Sequence, residues 1–271
     1  MIRNMRIGFL SDLHITNNTA FIGQALDGVL EACKAKEVEK LFIAGDTTND
    51  PYETLEFVDK LTEAGVDTYT IFGNHEYWAM GYRDMMKNIT HEKYLHGKTL
   101  NLKGSTVLVG LDGTFDHSFV LKVDNEYTKC LPRDKYRLNN LGKGTFDLKL
   151  NKIRNYEKVF ADMESKLIKS FEANKGKDII FMTHYVPSSE FAIYKKDMVW
   201  NANNSFLGST RYQELAEEYK VKKVIFGHTH NRFNKTINGV DYHCNPIGYS
   251  NYEYHIPFSE RVMERLFVID I

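Results

Sequence analysis

Short apolar runs alternate with helical patterns along this chain, and the alternation gives the first structural reading. Residues 5–10 (MRIGFL) form an apolar run bounded by polar residues, the mark of a buried strand. A helical pattern follows from about Thr19 to Lys36. A second apolar run covers Lys40–Ala44, and a second helical segment runs from about Pro51 to Ala64, with Pro51 suited to a first helical turn. A third run is Thr68–Phe72. Strand, helix, strand, helix, strand at this spacing predicts an α/β sheet with parallel strands.

The pattern then changes. Leu100-Asn101-Leu102 and Thr106–Leu111 flank Lys103-Gly104-Ser105 and predict a β-hairpin. Residues 112–150 lose periodicity, and a structureless loop of that length is unusual, so small elements or a lid are expected there. Helical order returns from about Asn151 to Ala173, followed by a strand at Asp178–Met182. A second irregular stretch, 185–206, carries Tyr185, Phe191, Tyr194, Trp200 and Phe206 and is expected to pack as an insertion or to wall the site. A helix near Arg211–Tyr219, a strand at Lys223–Phe226, a hairpin turning at Asn238-Gly239 and a last strand at about Arg265–Ile269 complete the chain. With no internal repeat and no Pro-rich linker, the simplest organisation is one domain over 1–271, with insertions at about 112–150 and 185–206.

The residues suited to chemistry sit immediately after the strands. The first strand is followed by Ser11-Asp12-Leu13-His14, the second by Gly45-Asp46, and the third by Gly73-Asn74-His75-Glu76. Thr183-His184 and Gly227-His228-Thr229-His230 come directly after two later strands. In open α/β sheets ligands bind outside the carboxyl ends of the strands, so these groups are expected to converge on one edge. Singly, each is weak: a lone strand-end Asp is usually a cap or turn residue, and a lone His usually a satisfied structural one. Five in order do not read as coincidence. Oxygen and imidazole donors without thiolate suit Mn, Fe, Zn, Co or Ni. There are too many for one metal that keeps an open position, and about enough for two metals sharing a bridge, with Asp46 the natural bridging carboxylate.

Asp-x-His, Gly-Asp, Gly-Asn-His-Glu, an isolated His after a strand, and Gly-His-x-His, in this order from Asp12 to His230, resemble the calcineurin-like metallophosphoesterase family. The resemblance implies an α/β fold of four layers, an α-β-β-α sandwich with two mixed β-sheets face to face and the metal site at the strand C-terminal ends. Carried over by position, one metal takes Asp12, His14, Asp46 and His230, and the other takes Asp46, Asn74, His184 and His228. His75 stands beside them as general acid or phosphoryl stabiliser. Two positions depart from the family: Asn49 replaces the second Asp of Gly-Asp-x-x-Asp, and Phe72 stands where protein phosphatases of the family carry a phosphate-gripping Arg. The first puts metal tuning in doubt more than metal binding; the second weakens a protein-phosphatase reading.

The resulting expectation is a hydrolase of phosphate esters with two transition-metal ions as cofactors, Mn favoured, and attack by a metal-bridging hydroxide. A small organic or nucleotide-like phosphodiester is the favoured substrate. Phosphomonoesterase and nuclease are the enzymatic alternatives, and a non-catalytic scaffold of the same fold is the alternative from another class. The formal net charge of −1 gives nucleic-acid binding no support. Tyr185, Tyr249, Asn245 and His117 are candidate substrate contacts. His91 and His96 are expected at the surface, and His243 and His255 are not assigned to metal. The apolar content of 42% supplies a core. No stretch is long enough to span a bilayer and no signal peptide is evident, so the expected location is cytoplasmic and away from membranes. Cys33, Cys130 and Cys244, odd in number and widely spaced, are expected as buried thiols in a reducing compartment.

Overall fold

Two mixed sheets carry the site, and their strands show why both faces had to be apolar. The structure, a computed structural model, describes residues 4–19, 21–119, 156–195, 201, 204–249 and 256–271. In chain order it runs β1 (Arg6–Leu10), α1 (Ile15–Asn18), α2 (Ile22–Ala35), β2 (Lys40–Ala44), α3 (Pro51–Glu63), β3 (Asp67–Ile71), α4 (Glu76–Ala79), α5 (Tyr82–Asn88), β4 (Lys98–Asn101) and β5 (Thr106–Leu111). The described residues continue with α6 (Tyr156–Ala173), β6 (Asp178–Thr183), α7 (Thr210–Glu218), β7 (Lys223–Phe226), β8 (Phe233–Ile237), β9 (Val240–Cys244), α8 (Phe258–Arg265) and β10 (Phe267–Asp270). One sheet has the order β10-β1-β2-β3, the other β4-β5-β6-β7-β9-β8. β1, β2 and β3 are mutually parallel with β10 antiparallel; β5, β6, β7 and β9 are parallel, with β4 and β8 antiparallel at the edges.

Side chains alternate between faces of a strand, and here the alternation separates three apolar layers. Ile7, Phe9, Phe42 and Ala44 meet Leu108, Ile180, Met182 and Ile225 in the layer between the sheets. From the same strands, Leu10, Leu41 and Ile43 point the other way and pack with Val29, Val58 and Val262 of α2, α3 and α8. Val107, Val109, Ile179, Phe181 and Val224 face outward onto Val159, Met163, Leu167 and Leu215 of α6 and α7. Helix, sheet, sheet, helix is the four-layer sandwich, and it explains why the strands read as continuous apolar runs. Each fully buried Val, Leu or Ile contributes about 1.5–3 kcal/mol relative to exposure.

The register brings the strand ends together. Leu10 pairs with Ile43 and Ala44 with Ile71, which sets Asp12, Asp46 and Asn74 beside one another. Leu111 pairs with Thr183 and Met182 with Ile225, which does the same for Asp112, His184 and His228.

Several expectations change. The helix expected from about Thr19 to Lys36 is α2, which starts at Ile22 because Thr19 is extended; the short α1 before it was not expected. Three short helices, α4, α5 and α8, were not expected; with 4, 7 and 8 residues they are too short for periodicity to show. The last strand begins at Phe267, not Arg265, because Arg265 closes α8. Residues 120–150 of the first expected insertion, residues 151–155 of the expected helix, Cys130, Trp200 and His255 lie outside the described residues. Cys33 and Cys244 are buried free thiols. His96 is not at the surface: it is 8% exposed and lies 3.1 Å from Asp112. Among the described residues no helix is long and apolar enough to cross a membrane.

Candidate metal centre and active site

Each strand ends in a tight turn, and the turn aims the side chain. Asp12, His14, Asp46, His228 and His230 all have positive φ, between 44° and 71°. This left-handed backbone costs a non-glycine residue on the order of 1–2 kcal/mol, and clusters of such residues mark sites where side-chain placement outweighs strain. Gly45 must stay a glycine: its φ is +82°, and a Cβ there would meet the Gly73 nitrogen and the His184 ring at 2.7 Å.

Three overlapping groups of ligand atoms result, one of them His14, Asp46 and His75. Asp12, His14 and His230 converge within 4.8 Å, and so do Asp46, His184 and His228. Asp46 touches both: its Oδ2 lies 3.8 Å from His14 Nε2 and 3.4 Å from His184 Nε2. Asn74 Oδ1 is 3.1 Å from His184 Nε2. Asp46 therefore lies between the two imidazole pairs. The donor chemistry fits cations. His184 Nδ1 donates to the Ala44 carbonyl at 2.8 Å, so its Nε2 is turned toward the oxygens of Asn74 and Asp46. His14 and His230 face one another nitrogen to nitrogen at 2.9 Å. Asp12 Oδ2 is buried without a hydrogen bond. Electron-rich atoms converging in a dry site call for positive charge.

The electrostatics agree. Burial works against charge on Asp46, but the surrounding His184, His75 and His14 hold it well below the usual carboxylate range. Burial pushes Asp12 up. Burial lowers the pKa of His14 and takes that of His228 down to about 3, leaving both as the neutral imidazoles that bind metal. His184 goes the other way, to about 10: burial lowers it, but Asp46 and Asp12 outweigh burial. The field asks for a cation at that nitrogen.

His75 stands against this cluster, with its Nε2 3.8 Å from Asp46 Oδ2. Its Nδ1 donates to Asn49 Oδ1 at 2.7 Å, and its backbone N–H donates to Asp46 Oδ1 at 2.9 Å. Burial lowers its pKa, and Asn49 brings no charge to offset that. The family departure at position 49 is therefore a neutral orienting partner.

The structure also sorts the candidate substrate contacts. Tyr249 lies at the centre: its hydroxyl donates to His75 Nε2 at 3.0 Å, and its ring stacks on His14 at 4.3 Å. Tyr185 is buried at 1% exposure, with its ring 4.7 Å from His228, so it supports a ligand from behind. His117 packs against Tyr156 and Phe206, and Phe115 and Tyr185 stand between it and His228. Asn245 accepts a hydrogen bond from Arg232 at 3.0 Å, on the rim.

Three supporting residues escaped the sequence reading. The fully buried Glu76 carboxylate accepts from the backbone N–H groups of Asp46, Thr47, Thr48 and Gly73 and from the Thr54 hydroxyl, at 2.7–3.3 Å. It ties the two turns bearing Asp46 and Asn74. Asp112 holds the Phe72 N–H at 3.0 Å, while its own carbonyl accepts from His184 N. Arg261 of α8 is 1% exposed and donates to the carbonyls of Ile247 and Gly248 at 2.8 and 3.0 Å, fixing the loop that presents Tyr249. Asp112 carried the signal used for the others, an acid at a strand end, and Glu76 stood in the Gly-Asn-His-Glu motif without a role assigned to it; Arg261 carried none.

A calcineurin-like phosphoesterase family model matches residues 5–232. The chain belongs to this family of hydrolases, which act on phosphate esters with a dinuclear metal centre. Tyr249 and Arg261 lie beyond the matched residues. Among solved structures, the fold is similar to the phosphopantetheinyl hydrolase PptH of Mycobacterium tuberculosis, at 13% identity and a TM-score of 0.69, covering 100% of this chain and 97% of that one. It is also similar to a dimetal phosphatase of Danio rerio, at 13% identity and a TM-score of 0.52, covering 89% and 87%. No curated protein matches the chain in sequence.

Proposed function

We propose that this protein hydrolyses a small organic phosphodiester, with Asp12, His14, Asp46 and His230 holding one metal and Asp46, Asn74, His184 and His228 the other. The observation that carries it is the pair of ligand groups joined through Asp46, with His75 bonded to Asn49 at their edge. Metals bound there supply Lewis acidity: they neutralise the phosphoryl oxygens and lower the pKa of water. The rest falls to the chain. As the imidazolium, His75 gives its Nε2 proton to the departing oxygen; in this structure that atom meets the Tyr249 hydroxyl, so Tyr249 marks the leaving group's place. Asn49 fixes the His75 ring by holding Nδ1. Glu76 and Asp112 hold the strand-end turns, so geometry is set before substrate arrives.

The diester preference has two supports. Phe72 is buried and stacks on Tyr94 at 4.1 Å, so this strand end offers no cation for the second charge of a monoester. The similar fold of the phosphopantetheinyl hydrolase belongs to a protein whose name implies a phosphate joined to an organic arm. Among the metals that accept this donor set, Mn is favoured. The test is hydrolysis of bis-p-nitrophenyl phosphate and p-nitrophenyl phosphate by protein stripped of metal and reloaded with Mn. Mn-dependent turnover with the diester faster supports the reading. Turnover that favours the monoester overturns the diester preference, and no turnover with Mn, Fe, Co, Ni or Zn overturns the catalytic reading.

A further inference from the structure

Beside the metal ligands lies a cavity of about 170 Å³ that the proposed mechanism does not use. His228, Thr229 and Asn231 line one side; Phe191, Ile193 and Asn204 of the second irregular stretch, with Leu207 just after it, line the other. Its floor is built into the core. Phe191 is 1% exposed and packs on Phe226 at 4.9 Å and on Phe233 and Tyr242 at 5.3 Å. The walls are cross-linked: Asn204 Nδ2 donates to the Ile193 carbonyl at 3.0 Å, and Val186 N donates to the Leu207 carbonyl at 2.9 Å. The cavity is therefore preformed. Its lining contains no acid, lysine or arginine, so a charged group entering it would lose hydration without a partner. A volume of 170 Å³ is about six water volumes at ~30 Å³ each, or roughly six to eight non-hydrogen atoms.

We infer that this cavity binds the ester arm that stays on phosphorus, and that the arm is an uncharged organic group of about phenyl or pyrimidine size. The inference deepens the phosphodiesterase reading and rests on it. The position selects which arm. His75 groups with His14 about Asp46, whereas His228 groups with His184 about Asp46. The proton donor and the cavity thus border different ends of the site. The oxygen protonated by His75 departs; the other ester arm is left toward His228. In the reaction a P–O bond forms to the oxygen of water, the P–O bond to the departing arm breaks, and the departing oxygen takes a proton. The retained arm leaves as its phosphomonoester. A monoester substrate has no such arm and gains nothing from the cavity, a second reason for diester selectivity.

The test varies the retained arm alone. Methyl p-nitrophenyl phosphate and phenyl p-nitrophenyl phosphate share a leaving group, and the Mn-loaded protein is expected to favour the phenyl ester about tenfold in kcat/KM. Ile193→Trp, which fills the opening, is expected to abolish that preference while keeping the methyl ester within about twofold of wild type. Ile193→Ala, which leaves the opening clear, is expected to lose only part of it. Equal rates for the two esters in wild type overturn the inference. So does a fall of both esters together in Ile193→Trp protein of normal Mn content and circular dichroism. Should Ile193→Trp not fold, an unchanged phenyl preference in Ile193→Ala overturns it as well. If wild type cleaves neither ester, the phosphoesterase reading fails, and the cavity is read separately by titrating in phenyl methylphosphonate. Shifts of the Ile193 and Leu207 methyl resonances then support an arm-binding cavity; their absence overturns it.

Discussion

Two strand ends in this molecule each bury a carboxylate, and the contrast separates chemistry from architecture. Asp112, after β5, is satisfied by the protein. Its Oδ1 accepts the Phe72 N–H and its Oδ2 accepts the Tyr77 hydroxyl at 2.6 Å and the Tyr94 hydroxyl, with His96 at 3.1 Å. Burial opposes its charge, but His96 and the two phenols hold it below the usual range. Asp46, after β2, is also ionised, but the imidazole nitrogens around its Oδ2 lie at 3.4–3.8 Å, longer than good hydrogen bonds. Asp12 beside it has an oxygen with no hydrogen bond at all. A buried acid wrapped in donors is a structural anchor, and one left among lone pairs is suited to hold a cation.

Changing one acid at a time tests this contrast. The largest effect is expected from Asp46→Asn, which removes charge shared by both ligand groups. Turnover of bis-p-nitrophenyl phosphate should fall at least about 10³-fold, with bound Mn measured by atomic absorption dropping below two per chain, while the melting temperature without metal holds or rises. A stable fold that kept two metals and full turnover would refute the role given to Asp46. Asp112→Ala should do the reverse. It strands two buried phenols and a backbone N–H, costing about 2–4 kcal/mol in urea unfolding, while protein still folded keeps its Mn.

His75→Asn should cost ~10²–10⁴-fold in rate with Mn content unchanged, and more for an alkyl leaving group than for p-nitrophenolate, which needs little protonation. Asn49→Asp supplies the charge that the family pattern has and this chain lacks. A carboxylate beside His75 Nδ1 raises the pKa of the ring, so the alkaline limb of the kcat/KM profile should move to higher pH.

The smallest effect concerns a histidine outside the site. His243 packs on Phe267 at 4.2 Å and is held down to about 4, chiefly by burial and then by Lys223, against an ordinary 6.5. Between those values the unfolded chain binds a proton that the folded chain does not, so stability falls as pH drops from about 6.5 to about 4. Acid unfolding of His243→Phe should lose part of that slope; an unchanged slope would place the acid sensitivity elsewhere.

The ligand motifs were legible in the sequence because the strand-end rule acts locally. An apolar run fixes where a strand stops, and the residue after it must sit at the sheet edge, so Asp12, Asp46, Asn74, His184 and His228 could be placed without coordinates. His96 was misplaced because its partner Asp112 lies sixteen positions away across β4 and β5, and nothing in its own neighbours marks it as buried. Arg261 was unreadable for the same reason: its carbonyl partners, Ile247 and Gly248, come from a loop on a different segment.

The sequence by itself determined the donor types, their order and the strand ends they follow, since residue chemistry and apolar runs are properties of neighbours, while the four layers were implied by the family resemblance. Tertiary structure decided the rest. Register set Asp46 between the two ligand groups, left-handed turns aimed the imidazoles, and the C-terminal segment brought Tyr249 onto His75. The reason is physical: metal ligation and proton transfer depend on distances of a few ångströms, and contacts between distant segments set those distances only after the sheets have paired and packed.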